Sequence, residues 1–455
     1  MSELKIISGH AGTVLVGQLA VMAFGVADTV IAGRYSDTAL AALSVGSAIY
    51  ISVYVGLIGI VQALLPIWAE LLGANKHHEI GRSLRQSIYL SGFITIAGMA
   101  ALLFPGALLR WAQVPEAMLG EVQSYLTVLA FAFAPSILFR LYSTFNQSLG
   151  KPLLVTWLQV GALMVKIPLS ILLVAGGAGV EPMGVVGCAW ATLVVNYLLL
   201  ALGLVMLRTQ TLYKPFRIWR RMERPNWPTI GNFARLGIPA GMAYLVEVTS
   251  FTLMAVFIAR LGVTASASHQ IAASVAAVLY MMPLSMAIAC SARVSFWLGA
   301  GRPDHAKRIV LLGLKLTASM SITLVAILLI AKNSLAGFYS ANPAIVNTAS
   351  SLLFWVAFYH LADSIQAVCA FLLRCYRITL APLAIYGILL WGLGLYGGYL
   401  LTYEGLSGLA ARPSPDTFWI ASSLALWLVA SCFLVLLWRV IRKNQRVDGV
   451  PAQAV

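Results

Sequence analysis

RTQTLYKPFRIWRRMERPNWPTIGNF, residues 208–233, is the one long polar stretch in a chain of 455 residues. On both sides of it the sequence runs in apolar segments. A bilayer-spanning helix needs about 20 mostly apolar residues, and tilted helices run longer. By that measure the segments 11–33, 39–71, 84–108, 118–146, 153–178 and 184–207 precede the stretch. The segments 234–260, 265–298, 309–331, 345–373, 380–402 and 417–441 follow it. The reading is therefore an all-α polytopic membrane protein with twelve transmembrane helices, six on each side of a linker.

Composition agrees. Hydrophobic side chains make up 60% of the chain and charged ones only 10%, where a soluble domain carries roughly a quarter. A mean hydropathy of +0.88 over the whole length excludes a soluble enzyme carrying one anchor. The formal charge of +15 does not point to nucleic acid, because the basic residues sit between apolar runs. Cys188, Cys290, Cys369, Cys375 and Cys432 lie in or beside apolar segments without metal-type spacing, and read as small core residues. The first apolar run follows a short polar start without a cleavage signature, so it is expected to stay as a helix.

Lysine and arginine set the orientation, since positive loops stay in the cytoplasm. With both termini inside, 22 of the 30 basic residues fall on the inner side. Arg34, Arg110, Arg260, Lys332 and Arg412 fall outside, and Arg140, Lys166 and Arg293 fall within helices. The expected layout is an N-lobe at 1–207, a cytoplasmic linker at 208–233, a C-lobe at 234–441 and a cytoplasmic tail at 442–455.

The halves also resemble each other. A shift of 226 places LLGANKHHEIGRS (71–83) on WLGAGRPDHAKRI (297–309), and AGR (32–34) on IAR (258–260). Six helices, an even number, separate the copies, so the repeats share one orientation. Two pseudo-symmetric six-helix lobes around a central cleft are the parallel-repeat plan of an alternating-access transporter.

Three acidic residues lie deep in apolar runs: Asp28, Glu247 and Asp363. An unpaired charge there costs about 2.5–3.5 kcal/mol even on the mild insertion scale, so such groups face cavities and move ions unless they are paired for structure. A carboxylate in a low-dielectric cleft can exchange a proton, hold Na⁺ or attract a cationic drug. Tyr359 and His360 lie four and three residues before Asp363, near the same helix face. His360 reads either as a satisfied core histidine or as part of a proton path.

Lys166, mid-helix, needs an anionic partner or a wet cavity, and Asp28 is the only deep carboxylate in its half. Arg140 reads as cavity-facing or as reaching the inner interface, and Arg293 as snorkelling to the inner surface. Tyr280, Met281, Phe358, Lys166 and Ser170 are candidate cleft-lining residues, the first three because aromatic faces attract cations and methionine adapts its shape. Pro168, Pro239 and Pro283 mark expected kinks. There is no GxxxxGK[ST], HExxH or GxSxG, and the GxGxxG at Gly392, Gly394 and Gly397 sits inside an apolar run and reads as close helix packing. No enzymatic constellation is present in the sequence.

Several segments resemble the multidrug and toxic compound extrusion (MATE) family, in its NorM-like branch. They are VADTVIAG (26–33), YLVEVTSF (244–251), LYMMPLS (279–285), SFWLGAGR (295–302), LADSIQAVCAFLLRCYRIT (361–379) and WGLGLYGGYLL (391–401). The resemblance spans essentially the whole chain. It implies a secondary antiporter of the cell (inner) membrane that exports organic cations and amphipathic toxins against inward H⁺ or Na⁺, without a cofactor. By residue match, Glu247, Asp363 and Tyr359 fall in a C-lobe cation site that could take Na⁺, Asp28 falls in an N-lobe site, and Tyr280 stands beside the cleft. Lys166 and Ser170 stand where relatives usually carry asparagine, then asparagine or aspartate. His360 and Leu361 stand where relatives often have glutamine and proline.

The competing reading is a flippase or exporter of a lipid-linked metabolite, which would line its cleft with several arginines or lysines; three deep acids favour cation export. Expected partners are small cationic or amphipathic molecules and the bilayer, with no nucleic acid, and a two-lobe chain can work as a monomer.

Overall fold

The computed structural model describes all residues except 1, 107–108, 110–115, 178, 406–409 and 448–455. Arg110 and the end of the expected tail lie outside the described residues. Among the described residues, twelve helices are long and apolar enough to cross a membrane. In the first half they are α1 (Glu3–Tyr35), α2 (Asp37–Gly73), α3 (His77–Leu103), α4 (Glu116–Ser148), α5 (Leu153–Ala175) and α6 (Val185–Thr209). The second half holds α7 (Trp227–Ala259), α8 (Val263–Gly299), α9 (Pro303–Tyr339), α10 (Pro343–Cys375), α11 (Leu380–Glu404) and α12 (Pro415–Val447). The spans match the sequence reading, with α1, α3 and α7 starting earlier, α7 inside the expected linker, and α9 running longer at both ends. The chain is a multi-pass membrane protein.

Local chemistry starts and stops these helices. Ser36 caps α2 by accepting from the Ala39 amide at 3.0 Å, and Asn342 caps α10 by accepting from the Ala344 amide at 3.0 Å. The expected kinks at Pro168, Pro239 and Pro283 do not interrupt α5, α7 or α8, which stay helical through them. The irregular helix is α11, which widens into π turns over Gly387–Tyr396 and Leu400–Glu404. Of the three motif glycines only Gly394 serves close packing, since a Cβ there would meet Ala425 at 3.3 Å, whereas Gly392 faces open space; beside Gly397, a side chain at Gly398 would strike the Phe418 ring.

The repeat read from the sequence is visible in the backbone. Asn75 and Gly301, 226 residues apart, both adopt the left-handed conformation, with φ of 57° and 67°. The following amides, Lys76 and Arg302, reach back five residues to the Leu71 and Trp297 carbonyls, both at 3.0 Å. Asn75 and Gly301 donate to Leu72 and Leu298, both at 3.1 Å. This is one Schellman stop, built twice.

Packing repeats as well. The fourth helix of each half is its centre: α4 packs on α2, α3 and α6, and α10 packs on α8, α9 and α12. Burial follows, since 78% of the apolar stretch of α10 is covered against 17% for α9.

The chain forms two compact units, Gly12–Gly241 and Met242–Val455 joined by Met1–Ala11. The polar 208–233 stretch thus belongs to the first unit, and the reason is specific. Arg85 of α3 donates to Glu223 Oε1 at 2.7 Å and to the Arg217 carbonyl at 3.0 Å. The Gln86 carboxamide donates to the Arg224 carbonyl at 3.1 Å and accepts from the Asn226 amide at 2.8 Å. Tyr213 and Phe216 of the strap are buried, and the Tyr213 hydroxyl donates to Asn146 Oδ1 at 2.6 Å. Burial pushes the Tyr213 phenol up, which keeps that donor protonated.

Candidate ion and substrate site

In the second unit, α7 carries Glu247, α10 carries Asp363 and Gln366, and α11 carries Tyr386. Gln366 lies one helical turn after Asp363, so the two side chains share a face. Its single amide nitrogen donates to Glu247 Oε1 at 3.1 Å and to Asp363 Oδ1 at 2.9 Å. The Tyr386 hydroxyl donates to the carbonyl oxygen of the same carboxamide. Asp363, Gln366 and Tyr386 are buried, and Glu247 is half-buried. Trp391 on α11 donates to the Val246 carbonyl at 3.2 Å, tying the backbone beside Glu247 to the irregular helix.

The arrangement aligns two carboxylates on one neutral bridge. Among the described residues, no lysine or arginine forms an ion pair with either acid. Arg374, counted from sequence with the inner loop charges, is instead buried at the end of α10, its guanidinium 4.9 Å from the Tyr244 ring and 4.4 Å from the Phe371 ring. Two carboxylates at this spacing in a low-dielectric interior attract a positive charge strongly, be it a proton, a metal cation or an organic ammonium. Among the described residues, no three His, Cys, Asp or Glu side chains converge, so nothing resembles a transition-metal centre.

Tyr359 and His360 lie near the Asp363 side of α10, and Phe358 lies away from it. Tyr359 packs its ring edge-on to Trp419 at 5.6 Å and stands outside the Glu247–Gln366–Asp363 hydrogen bonds. His360 is buried, with Nε2 at 3.4 Å from the Ser364 hydroxyl, the geometry of a satisfied core histidine. Phe358, about 140° around the helix from Asp363, is largely exposed and packs on Trp427 at 5.5 Å. Tyr280 and Met281 are half-buried on α8.

The first unit is built differently. Lys166 Nζ on α5 donates to Asp28 Oδ2 at 2.9 Å and to Thr192 Oγ1 on α6 at 2.7 Å. Ser170, a turn along from Lys166, donates to Asp28 Oδ1 at 3.3 Å. Lys166 and Asp28 are both buried, and the ammonium lies 5.9 Å from the Phe24 ring centre. Asp28 already holds its counter-ion.

Two in-helix arginines also find partners. Arg140 donates to Gln62 Oε1 at 3.1 Å. The Arg293 guanidinium grips the Glu3 carboxylate through two bonds of 2.6 Å, over the rings of Phe296 and Trp297. A fork-shaped guanidinium meeting a planar carboxylate makes this bidentate contact better than a free cation at the interface. Among the described residues no cysteine is in a disulfide; Cys188, Cys290, Cys369 and Cys375 are buried as expected, whereas Cys432 is exposed.

Sequence reasoning passed over Gln366, Tyr386, Thr192 and Glu3. Only Gln366 carried a signal, its one-turn spacing from Asp363. The other three come from distant segments.

This is a polytopic helical protein with paired buried carboxylates in one half and a closed ion pair in the other. The MatE family model matches residues 14–172 and 239–400, one match in each half. A protein of Aromatoleum aromaticum named "Probable multidrug resistance protein NorM" is 36% identical over 439 residues, 96% of this chain and 95% of that protein. One of Chromobacterium violaceum with the same name is 31% identical over 98% of this chain and 96% of its own length. A crystal structure of MATE in the straight conformation superposes with a TM-score of 0.87 at 15% identity, covering 98% of both chains. The chain belongs to the MatE family. It is accordingly a membrane transporter and not an enzyme, and needs no cofactor.

Proposed function

We propose that this transporter exports organic cations and amphipathic toxins across the inner membrane in exchange for inward H⁺ or Na⁺, with Glu247 and Asp363 as the exchange site. One observation carries the reading: a single carboxamide nitrogen holds two intramembrane carboxylates together, and neither has a basic ion-pair partner among the described residues. Coupling cation and cationic drug then compete for the same negative charge. Entry of one expels the other, which is the condition for antiport under alternating access. Asp28 serves the first half as a structural anion locked by Lys166.

The charge asymmetry supports cytoplasmic termini, and a chain holding both halves supports a monomeric unit of function. Lipid-linked export is disfavoured because the mid-helix cation Lys166 is neutralised by Asp28.

The test is efflux of a fluorescent organic cation from proteoliposomes under an imposed pH gradient, then an imposed Na⁺ gradient. One gradient is expected to drive wild-type transport, with Asp363→Asn and Glu247→Gln losing it. Failure of both gradients in folded, inserted protein would overturn the proposal.

A further inference from the structure

The strap between the halves carries a cavity of about 270 Å³ that the transport reading does not use. Arg208, Lys214, Arg217 and Arg220 line it together with Trp219, and no acidic residue does. Among the described residues none of these four cations forms an ion pair, and the nearby Glu223 is held by Arg85 at 2.7 Å with Arg82 at 3.8 Å. The walls are fixed. Trp219 Nε1 donates to the Leu207 carbonyl at 3.1 Å, and the Arg208 guanidinium lies 6.0 Å from the Trp219 ring centre. Arg217 adopts a left-handed φ of 49° while its carbonyl accepts from Arg85, so α3 sets the bend of the strap at the cavity.

The level of the cavity identifies the ligand. Leu207 and Arg208 are at the end of the apolar span of α6, where that helix leaves the hydrocarbon. Trp219, Met222 and Trp227 are exposed on the same strap, and tryptophan concentrates at the membrane–water interface. The volume equals on the order of nine waters, enough for a phosphodiester and part of its glycerol. We propose that this cavity binds the phosphate group of an anionic phospholipid, with the four cations around the phosphate and Trp219 at the acyl boundary.

Binding is read by native mass spectrometry of the detergent-purified full chain, with phosphatidylglycerol, phosphatidylcholine, inorganic phosphate and pyrophosphate as probes. Wild type is expected to retain phosphatidylglycerol over phosphatidylcholine. Arg208→Gln, Lys214→Gln and Arg220→Gln, singly and combined, should weaken that retention about fivefold for each charge removed. An equal loss of charge at Arg439, Arg442 and Lys443 should leave it unchanged. The single variants, screened by gel filtration, keep the test open if the triple variant misfolds. Equal losses in the linker and control sets, absence of headgroup preference, or binding of pyrophosphate without phosphatidylglycerol would each overturn the proposal.

Discussion

Lys166 Nζ stands 2.9 Å from Asp28 Oδ2, joining α5 to α1 through a buried ion pair. The consequence is asymmetric. Removing one partner leaves an uncompensated charge, whereas removing both leaves a packing problem only. Lys166→Met is expected to destabilise the protein by about 3–5 kcal/mol, and adding Asp28→Asn should restore most of it. Thermal unfolding of the two variants in the same detergent decides this; equal losses would mean that the pair contributes little.

Gln366 offers a sharper functional test. Gln366→Leu keeps the volume but removes the nitrogen that bridges Glu247 and Asp363. Transport at a fixed ion gradient should fall at least tenfold, while Tyr386→Phe, which loses one hydrogen bond worth about 1 kcal/mol, should cost roughly fivefold. Initial efflux rates across substrate concentrations measure both. A larger loss in Tyr386→Phe than in Gln366→Leu would contradict the bridge.

Docking of the strap depends on Gly81. A methyl group there would overlap the Phe216 carbonyl oxygen, a backbone atom that cannot rotate away. Gly81→Ala should cost about 1–3 kcal/mol and expose the strap to trypsin at its arginines. Limited proteolysis beside wild type shows whether the segment has lifted.

The repeated stop after α2 and α8 predicts unequal tolerance at equivalent places. Gly301→Ala places a Cβ in the left-handed region and should lose about 1 kcal/mol, whereas Asn75→Gly should be neutral or slightly stabilising. Melting temperatures of the two variants are the readout.

Glu3 and Arg293 are partly exposed, so their bidentate contact is discounted for solvent. A double-mutant cycle with Glu3→Gln and Arg293→Gln should give a coupling of about 0.5–1 kcal/mol, falling with added salt. A salt-independent coupling would show that the pair is shielded from water.

The helices, their number, the repeat and the three deep acids are legible along the chain. Each of these rests on local information: runs of apolar residues about a bilayer thick, a fixed register, and charges where hydrocarbon penalises them. The sequence also made Asp28 the only candidate partner for Lys166, since no other deep carboxylate lies in that half. Which acid is spent and which is available depends on the packing of the helices. Gln366, Tyr386 and Thr192 act through contacts between helices, and the angle at which one helix meets another depends on packing that no single segment encodes. Glu3 shows the same limit: it finds Arg293 some 290 positions away because folding brings the start of α1 onto α8.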